Sequence, residues 1–192
     1  MASALEASAD DVFLGARATE GTLKSLNAKG MLKSWRVLHF ATHGLVAGET
    51  QQIAANQAEP ALMLTPPEVP SEEDDGLLTA SEVAQLQLDA DWVALSACNT
   101  ASGDGAAEAE ALSGLTRAFL YAGSRALVVS HWPVNSEAAV RLVTGTFSEL
   151  KGNASIGRAE ALRRAMLRQV REGGSRAHPS YWAPFVLVGE GG

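Results

Sequence analysis

The sequence predicts an α/β protein with a mainly parallel sheet and helices on both of its faces. Three observations carry that expectation. Strand-length apolar runs alternate with segments of helical period along most of the chain. Two of the runs, Val37-Leu38-His39-Phe40-Ala41-Thr42-His43-Gly44 and Trp92-Val93-Ala94-Leu95-Ser96-Ala97-Cys98-Asn99-Thr100, each deliver a reactive side chain near their end, His43 and Cys98. There is no internal repeat of the kind that builds solenoids or propellers. At 192 residues the chain reads as one domain, long enough for a sizeable core.

Taken in order, residues 11–15 read as a short strand. Thr19 then caps a helix over residues 19–33, through Leu23, Leu26 and Leu32, with Gly30 weakening its end. Residues 36–42 form a buried strand by their bulky apolar content. Residues 44–76 form a long connection rich in Pro, Gln and acids, in which Ala61-Leu62-Met63-Leu64 reads as a short edge strand stopped by Pro66-Pro67. Thr79 and Glu82 form a capping box that opens a short helix. The next strand covers residues 91–97, and residues 99–105 make a Gly-rich loop. A helix over residues 106–121 places Leu112, Leu115, Phe119 and Leu120 on one face and ends at Gly123. Ala126-Leu127-Val128-Val129-Ser130 is the following strand. Ser136 caps a helix to about Leu150, Lys151-Gly152-Asn153 breaks the chain, and a helix with exposed arginines covers residues 155–171. A last strand lies in residues 182–189, with Pro184 favouring an edge position or a strand start.

Composition narrows the function classes. The net charge is −7, and residues 44–76 alone hold seven acids and no Lys or Arg; the remaining 15 acids balance the 15 bases. No basic face is expected, which argues against nucleic acid as a partner. The acidic run reads as a solvated loop inserted within the domain, with a lid or an attractor for basic substrates as the functional alternative. The single cysteine excludes a disulfide framework and a multi-cysteine metal site. A lone thiol fits a reducing compartment, most simply the cytoplasm. The N-terminal residues lack the basic and apolar regions of a signal peptide, and the apolar runs are too short to span a membrane.

The ends of parallel strands share one rim of a sheet, so His43 and Cys98 are expected to meet there as base and nucleophile. A thiol near its reference pKa of about 8.5 needs such a base or a positive potential to react at neutral pH. The alternative for Cys98 is a small buried apolar residue. His39 and His43 are spaced as metal ligands on a helix are. On a strand they stand about 13 Å apart, at roughly 3.3 Å per residue, so His39 is assigned to the core or strand surface and no metal site is expected. Gly44 leaves the cleft open, and its N–H together with that of Cys98 fits an oxyanion hole. No serine lies in a Gly-x-Ser-x-Gly elbow, and Gly103-Asp104-Gly105 lacks the Lys of a phosphate loop. His131 and Trp132 follow the strand over residues 126–130, on the same rim as Cys98, and read as a cleft wall, with a packed Trp before a proline turn as the alternative. Asp104, close after Cys98, is the candidate pocket acid, which would select Arg or Lys.

Five motifs in order resemble the CHAT domain, a caspase-like peptidase module found with TPR repeats in bacteria. They are His-Phe-Ala-Thr-His-Gly ending at Gly44, Leu-Ser-Ala-Cys-Asn-Thr ending at Thr100, and Ala111-Leu112-Ser113-Gly114-Leu115-Thr116-Arg117-Ala118-Phe119 with Ala122-Gly123. Val129-Ser130-His131-Trp132-Pro133-Val134 and His178-Pro179-Ser180-Tyr181-Trp182-Ala183-Pro184-Phe185 complete the set. The resemblance implies a three-layer caspase-like fold, a Cys98–His43 dyad and a substrate cleft lined by Ser130, His131 and Trp132. It implies hydrolysis of a protein or peptide substrate through an acyl-enzyme, with no metal or organic cofactor. Family domains usually have further strands before the first one here, so the chain resembles the C-terminal part of a larger protein, with regulation by a TPR region as an expectation. A catalytically silent interaction module and a small-molecule cysteine esterase or amidase are the competing readings.

Overall fold

The computed structural model describes residues 2–54, 59–71, 73–96, 106–132, 135–153 and 155–192, with the backbone alone at 47 and 106–113. Seven strands and seven α-helices are assigned among these residues. The strands are β1 (Val37–Phe40), β2 (His43–Leu45), β3 (Ala61–Met63), β4 (Leu77–Thr79), β5 (Trp92–Leu95), β6 (Ala126–Ser130) and β7 (Phe185–Gly189). The helices are α1 (Ala2–Leu5), α2 (Glu20–Ala28), α3 (Ala47–Ile53), α4 (Ala80–Ala84), α5 (Ala106–Tyr121), α6 (Ser136–Gly152) and α7 (Arg158–Glu172).

The main sheet has the order β1-β5-β6-β7, with β1, β5 and β6 parallel and β7 antiparallel at the edge. It is buried on both faces, as a parallel sheet must be. Alternate residues separate the two cores. Leu38, Val93, Leu95, Leu127 and Val129 pack against Leu23 of α2, Val83 of α4 and Leu115 and Phe119 of α5. Trp92, Ala94, Val128 and Phe185 pack against Ala138, Leu142 and Phe147 of α6 and Leu162 of α7. The expected architecture, a mainly parallel sheet between two helical layers, is therefore present.

A second, antiparallel sheet of order β2-β3-β4 lies on the α5 side, where Leu62 and Leu78 enter the first core. It changes several expectations. The strand expected over residues 36–42 leaves the main sheet after Phe40, and His43 opens β2 instead. The expected edge strand at Ala61 is the central strand of the small sheet. β4 was not expected at all, because three residues carry too little periodicity to read.

The acidic segment is built into this sheet. Glu59 accepts the Ser81 N–H at 2.8 Å, Asp74 accepts the Gly21 N–H at 3.1 Å, and Asp75 accepts the Leu77 N–H at 2.8 Å. Buried Glu20 accepts the N–H groups of Asp75 (3.2 Å) and Gly76 (3.3 Å), and Lys24 bridges Glu20 and Glu82. Burial raises the Glu20 carboxyl above the usual range.

Local signals explain most element ends. Thr79 and Glu82 form the expected capping box. The Asn135 carboxamide, rather than Ser136, caps α6 by accepting the N–H groups of Glu137 and Ala138. Residues 11–15 form no strand: Asp11 ends one short 3-10 turn and Gly15 opens the next, with Phe13 between them set against Trp35.

Gly123 has φ +109° and ends α5 where Leu88 crosses it; a Cβ there would sit 2.2 Å from the Leu88 carbonyl oxygen. Gly123→Ala is expected to lower stability by at least about 2 kcal/mol, from the left-handed backbone and the clash together, measured as a shift in the urea midpoint.

Candidate functional site

Parallel pairing sets the first part of the site. The register runs Val37↔Trp92 to Phe40↔Leu95. The Ser96 N–H donates to the Phe40 carbonyl at 3.1 Å and extends the ladder one step beyond β5. The C-terminal ends of β1, β5 and β6 therefore lie along one rim. Phe40 is held there by Phe119 of α5, with ring centroids 5.4 Å apart. Cys98 and Asp104, the expected nucleophile and pocket acid, lie outside the described residues, as does the whole of residues 97–105 before α5.

From this rim the chain turns through Ala41 and Thr42, whose hydroxyl donates to the Met63 carbonyl, and enters β2. His43 is exposed at the first position of β2, opposite Met63. His39 and His43 thus belong to different sheets. Among the described residues there is no group of three His, Cys, Asp or Glu side chains that could hold a metal ion.

The backbone of Gly44 follows from the ladder alternation. Leu64 donates to the Gly76 carbonyl at 2.8 Å and Ala80 to the Pro60 carbonyl at 3.0 Å. Even-numbered residues of the β3 segment therefore bond toward β4. Leu62, opposite Gly44, directs its N–H and C=O to Leu78, so Gly44 sits at a non-bonded position of the β2–β3 pair. Its N–H points away from β3, toward the outer edge of the sheet, of which β2 is the last strand. The residue itself is buried.

The end of β6 divides the three expected wall residues. Ser130 is fully buried and paired with Phe185. His131 and Trp132 are exposed, Trp132 by 40%. The His131 N–H donates to the Pro184 carbonyl at 2.9 Å. The motif that ends at Phe185 makes this brace: His178 caps the turn Pro179–Tyr181, and the Trp182 indole N–H donates to the Ala177 carbonyl at 3.1 Å. Of the three, the side chains of His131 and Trp132 are open to solvent and that of Ser130 is not.

One pair escaped the sequence reading. His39 Nε2 and Ser96 Oγ lie 2.6 Å apart. Both sit on the α6/α7 face of the sheet, because Leu38, Val93 and Leu95 occupy the other. That parity is legible in the two motifs, but their register is not. Burial pushes the His39 imidazole down to about 4.

A depression of about 510 Å³ lies elsewhere, on the outer surface of α6 and α7, lined by Glu149, Glu160, Arg163, Arg164 and Arg168. Arg163 and Arg164 pair with Glu160, and Arg168 pairs with Glu149. It is a salt-bridged helix surface, not the rim of the sheet.

The two-sided sheet with its rim of strand ends is the α/β architecture of a caspase-like domain. A family model described as the CHAT domain matches residues 1–190, and the chain belongs to that family. Tetratricopeptide repeat protein 28 of Mus musculus is 37% identical over 117 residues, covering 59% of this chain and 4% of that protein. Its Homo sapiens counterpart is 34% identical over 117 residues, with the same coverage of 59% and 4%. The chain spans about 4% of the length of these curated relatives. Among the described residues, no helix is long and apolar enough to cross a membrane.

A histidine held near pKa 4 in the folded state and near 6.5 unfolded makes stability pH-dependent. Above about pH 6.5 both states are neutral there. As pH falls toward 4 only the unfolded chain takes up the proton, so stability drops, by at most about 3 kcal/mol for this group. His39→Leu is expected to flatten the slope of unfolding free energy against pH in that window, measured by denaturant titration at pH 4, 5, 6 and 7.

Proposed function

We propose that the chain is a cysteine endopeptidase of caspase type, with Cys98 as nucleophile and His43 as its base. The observation that carries this reading is the register of β1 and β5. His43 lies three residues past Phe40, Cys98 lies three residues past Leu95, and Phe40 and Leu95 are register partners. Membership of the CHAT family and the single thiol of the chain support it.

The chemistry then runs as acyl transfer. The Cys98 thiol gives its proton to His43 and the sulfur attacks the scissile carbonyl carbon. The carbonyl electrons move to oxygen, which is met by the N–H groups of Gly44 and Cys98. The outward direction of the Gly44 N–H suits that task. Collapse of the intermediate breaks the C–N bond, and His43 returns the proton to the leaving amine. Water, giving its proton to His43, then hydrolyses the thioester and restores the thiol. His131 and Trp132 form the exposed wall along which an extended peptide lies. Asp104 is the pocket acid in this reading and selects a basic residue at the cleaved position. The relatives are named for tetratricopeptide repeats, and a TPR region, in the same protein or in a partner, presents the substrate or regulates the site.

The test is labelling by thiol-reactive peptide electrophiles, alongside cleavage of a peptide library. Cys98→Ala is expected to abolish both, and His43→Ala to slow both by roughly 10²- to 10⁴-fold. Labelling unaffected by loss of His43 overturns the dyad. A stable captured partner without cleavage of any peptide favours an interaction module instead, and turnover of small esters without peptides favours an esterase.

A further inference from the structure

We propose that the His39–Ser96 hydrogen bond is a positioning clamp, which sets the direction in which the chain leaves β5 toward Cys98. The inference rests on the reading of Cys98 and His43 as a dyad.

Ser96 is held to β1 twice. Its N–H donates to the Phe40 carbonyl at 3.1 Å, and its Oγ meets His39 Nε2 at 2.6 Å. Among the described residues, these are the last ties between the two strands. Beyond them β1 continues through Ala41 and Thr42 to His43, and Cys98 comes two residues after Ser96. The backbone bond lies in the plane of the sheet and fixes the separation of the strands. The side-chain bond stands on one face and opposes rotation of the β5 end about its own axis. Two bonds in different directions restrain both the distance and the angle at which the nucleophile segment departs, and a 1 Å misplacement of a reacting group costs a large factor in rate.

The surroundings show that the pair does more than fill space. Its face of the sheet is lined by Val37, Trp92, Ala94 and Val128, where an apolar residue would pack without needing a partner. Among the described residues, His39 meets that need by holding Ser96. Burial keeps the imidazole neutral down to about pH 4, so the clamp does not change charge across the range in which a thiol–imidazole pair works. The same weak basicity argues against a second dyad here, since a general base acts best with a pKa near the working pH. His39 and Ser96 are positioning residues that act through the segment they hold.

The single cysteine makes the test direct, because iodoacetamide alkylation of the native chain reports Cys98 alone. Ser96→Ala is expected to alter the pH profile of alkylation. It is also expected to slow peptide-electrophile labelling roughly 10- to 100-fold, mainly in the maximal rate and little in half-saturation. Ser96→Thr, which keeps the hydroxyl, is expected to restore both. His39→Leu suits the apolar face, so it is expected to melt near the wild-type temperature while showing the same defect. A wild-type alkylation profile in folded Ser96→Ala or His39→Leu overturns the clamp. So does a Ser96→Ala defect that Ser96→Thr fails to restore. If the wild type labels with no peptide electrophile while the alkylation profile still shifts in the variants, the peptidase reading fails and the clamp stands.

Discussion

The parallel pairing of β1 with β5 is the constraint on which the rest of this molecule depends. It brings together two segments 55 residues apart in sequence, from Val37 opposite Trp92 to Phe40 opposite Leu95. Both strands are short, so the pairing needs support at its two ends. At the N-terminal end Arg36 holds Asp91 through two bonds of 2.7 and 2.8 Å, while Arg125 and Arg158 each reach the same carboxylate at 3.3 Å. These groups are partly exposed, so they add modestly to stability, but they fix which residue starts beside which. At the other end Ser96 closes the ladder onto Phe40 and His39. One end of the sheet is thus an ionic frame and the other is where the reactive motifs emerge.

Burial on both faces explains why the strands hold so few polar residues. Side chains from β5 and β6 are drawn alternately into two separate cores, one under α2, α4 and α5 and one under α6 and α7. A polar group in such a strand must find a partner. Ser130 and His39 are the polar residues within β6 and β1, and both lie on the α6/α7 face by alternation. The second sheet has a different task. It takes the chain over directly after β1, orients His43 and Gly44 at an outer edge, and is held in place by Glu20 and Lys24 beneath the segment that precedes β4.

Much of this was legible in the residues. The apolar runs around Leu38, Val93 and Leu127 marked the main strands, because each is long enough to show its pattern. Thr79 with Glu82, and Gly123, marked helix ends, because capping and left-handed backbone demand few residue types. The motifs carrying His43 and Cys98 supplied the candidate base and nucleophile of the proposal. The small sheet was not legible. Its strands have three residues each, and Pro66-Pro67 and the run of acids looked like a solvated connection. Glu59, Asp74 and Asp75 instead serve as acceptors for the N–H groups of Ser81, Gly21 and Leu77, a use that depends on which backbone lies within reach. Nor could Ser130 be distinguished from His131 and Trp132, since burial at a strand end depends on what packs over it.

The sequence by itself determined the class of fold, the order of its main elements and the residue types able to do chemistry. Those follow from hydrophobic period and from local backbone preference, which act within a few residues. Tertiary structure decided the register of β1 against β5, the departure of His43 into a second sheet, the outward direction of the Gly44 N–H and the meeting of His39 with Ser96. Each of these is a relation between segments far apart in the chain, set by which strand edges pair and which faces pack.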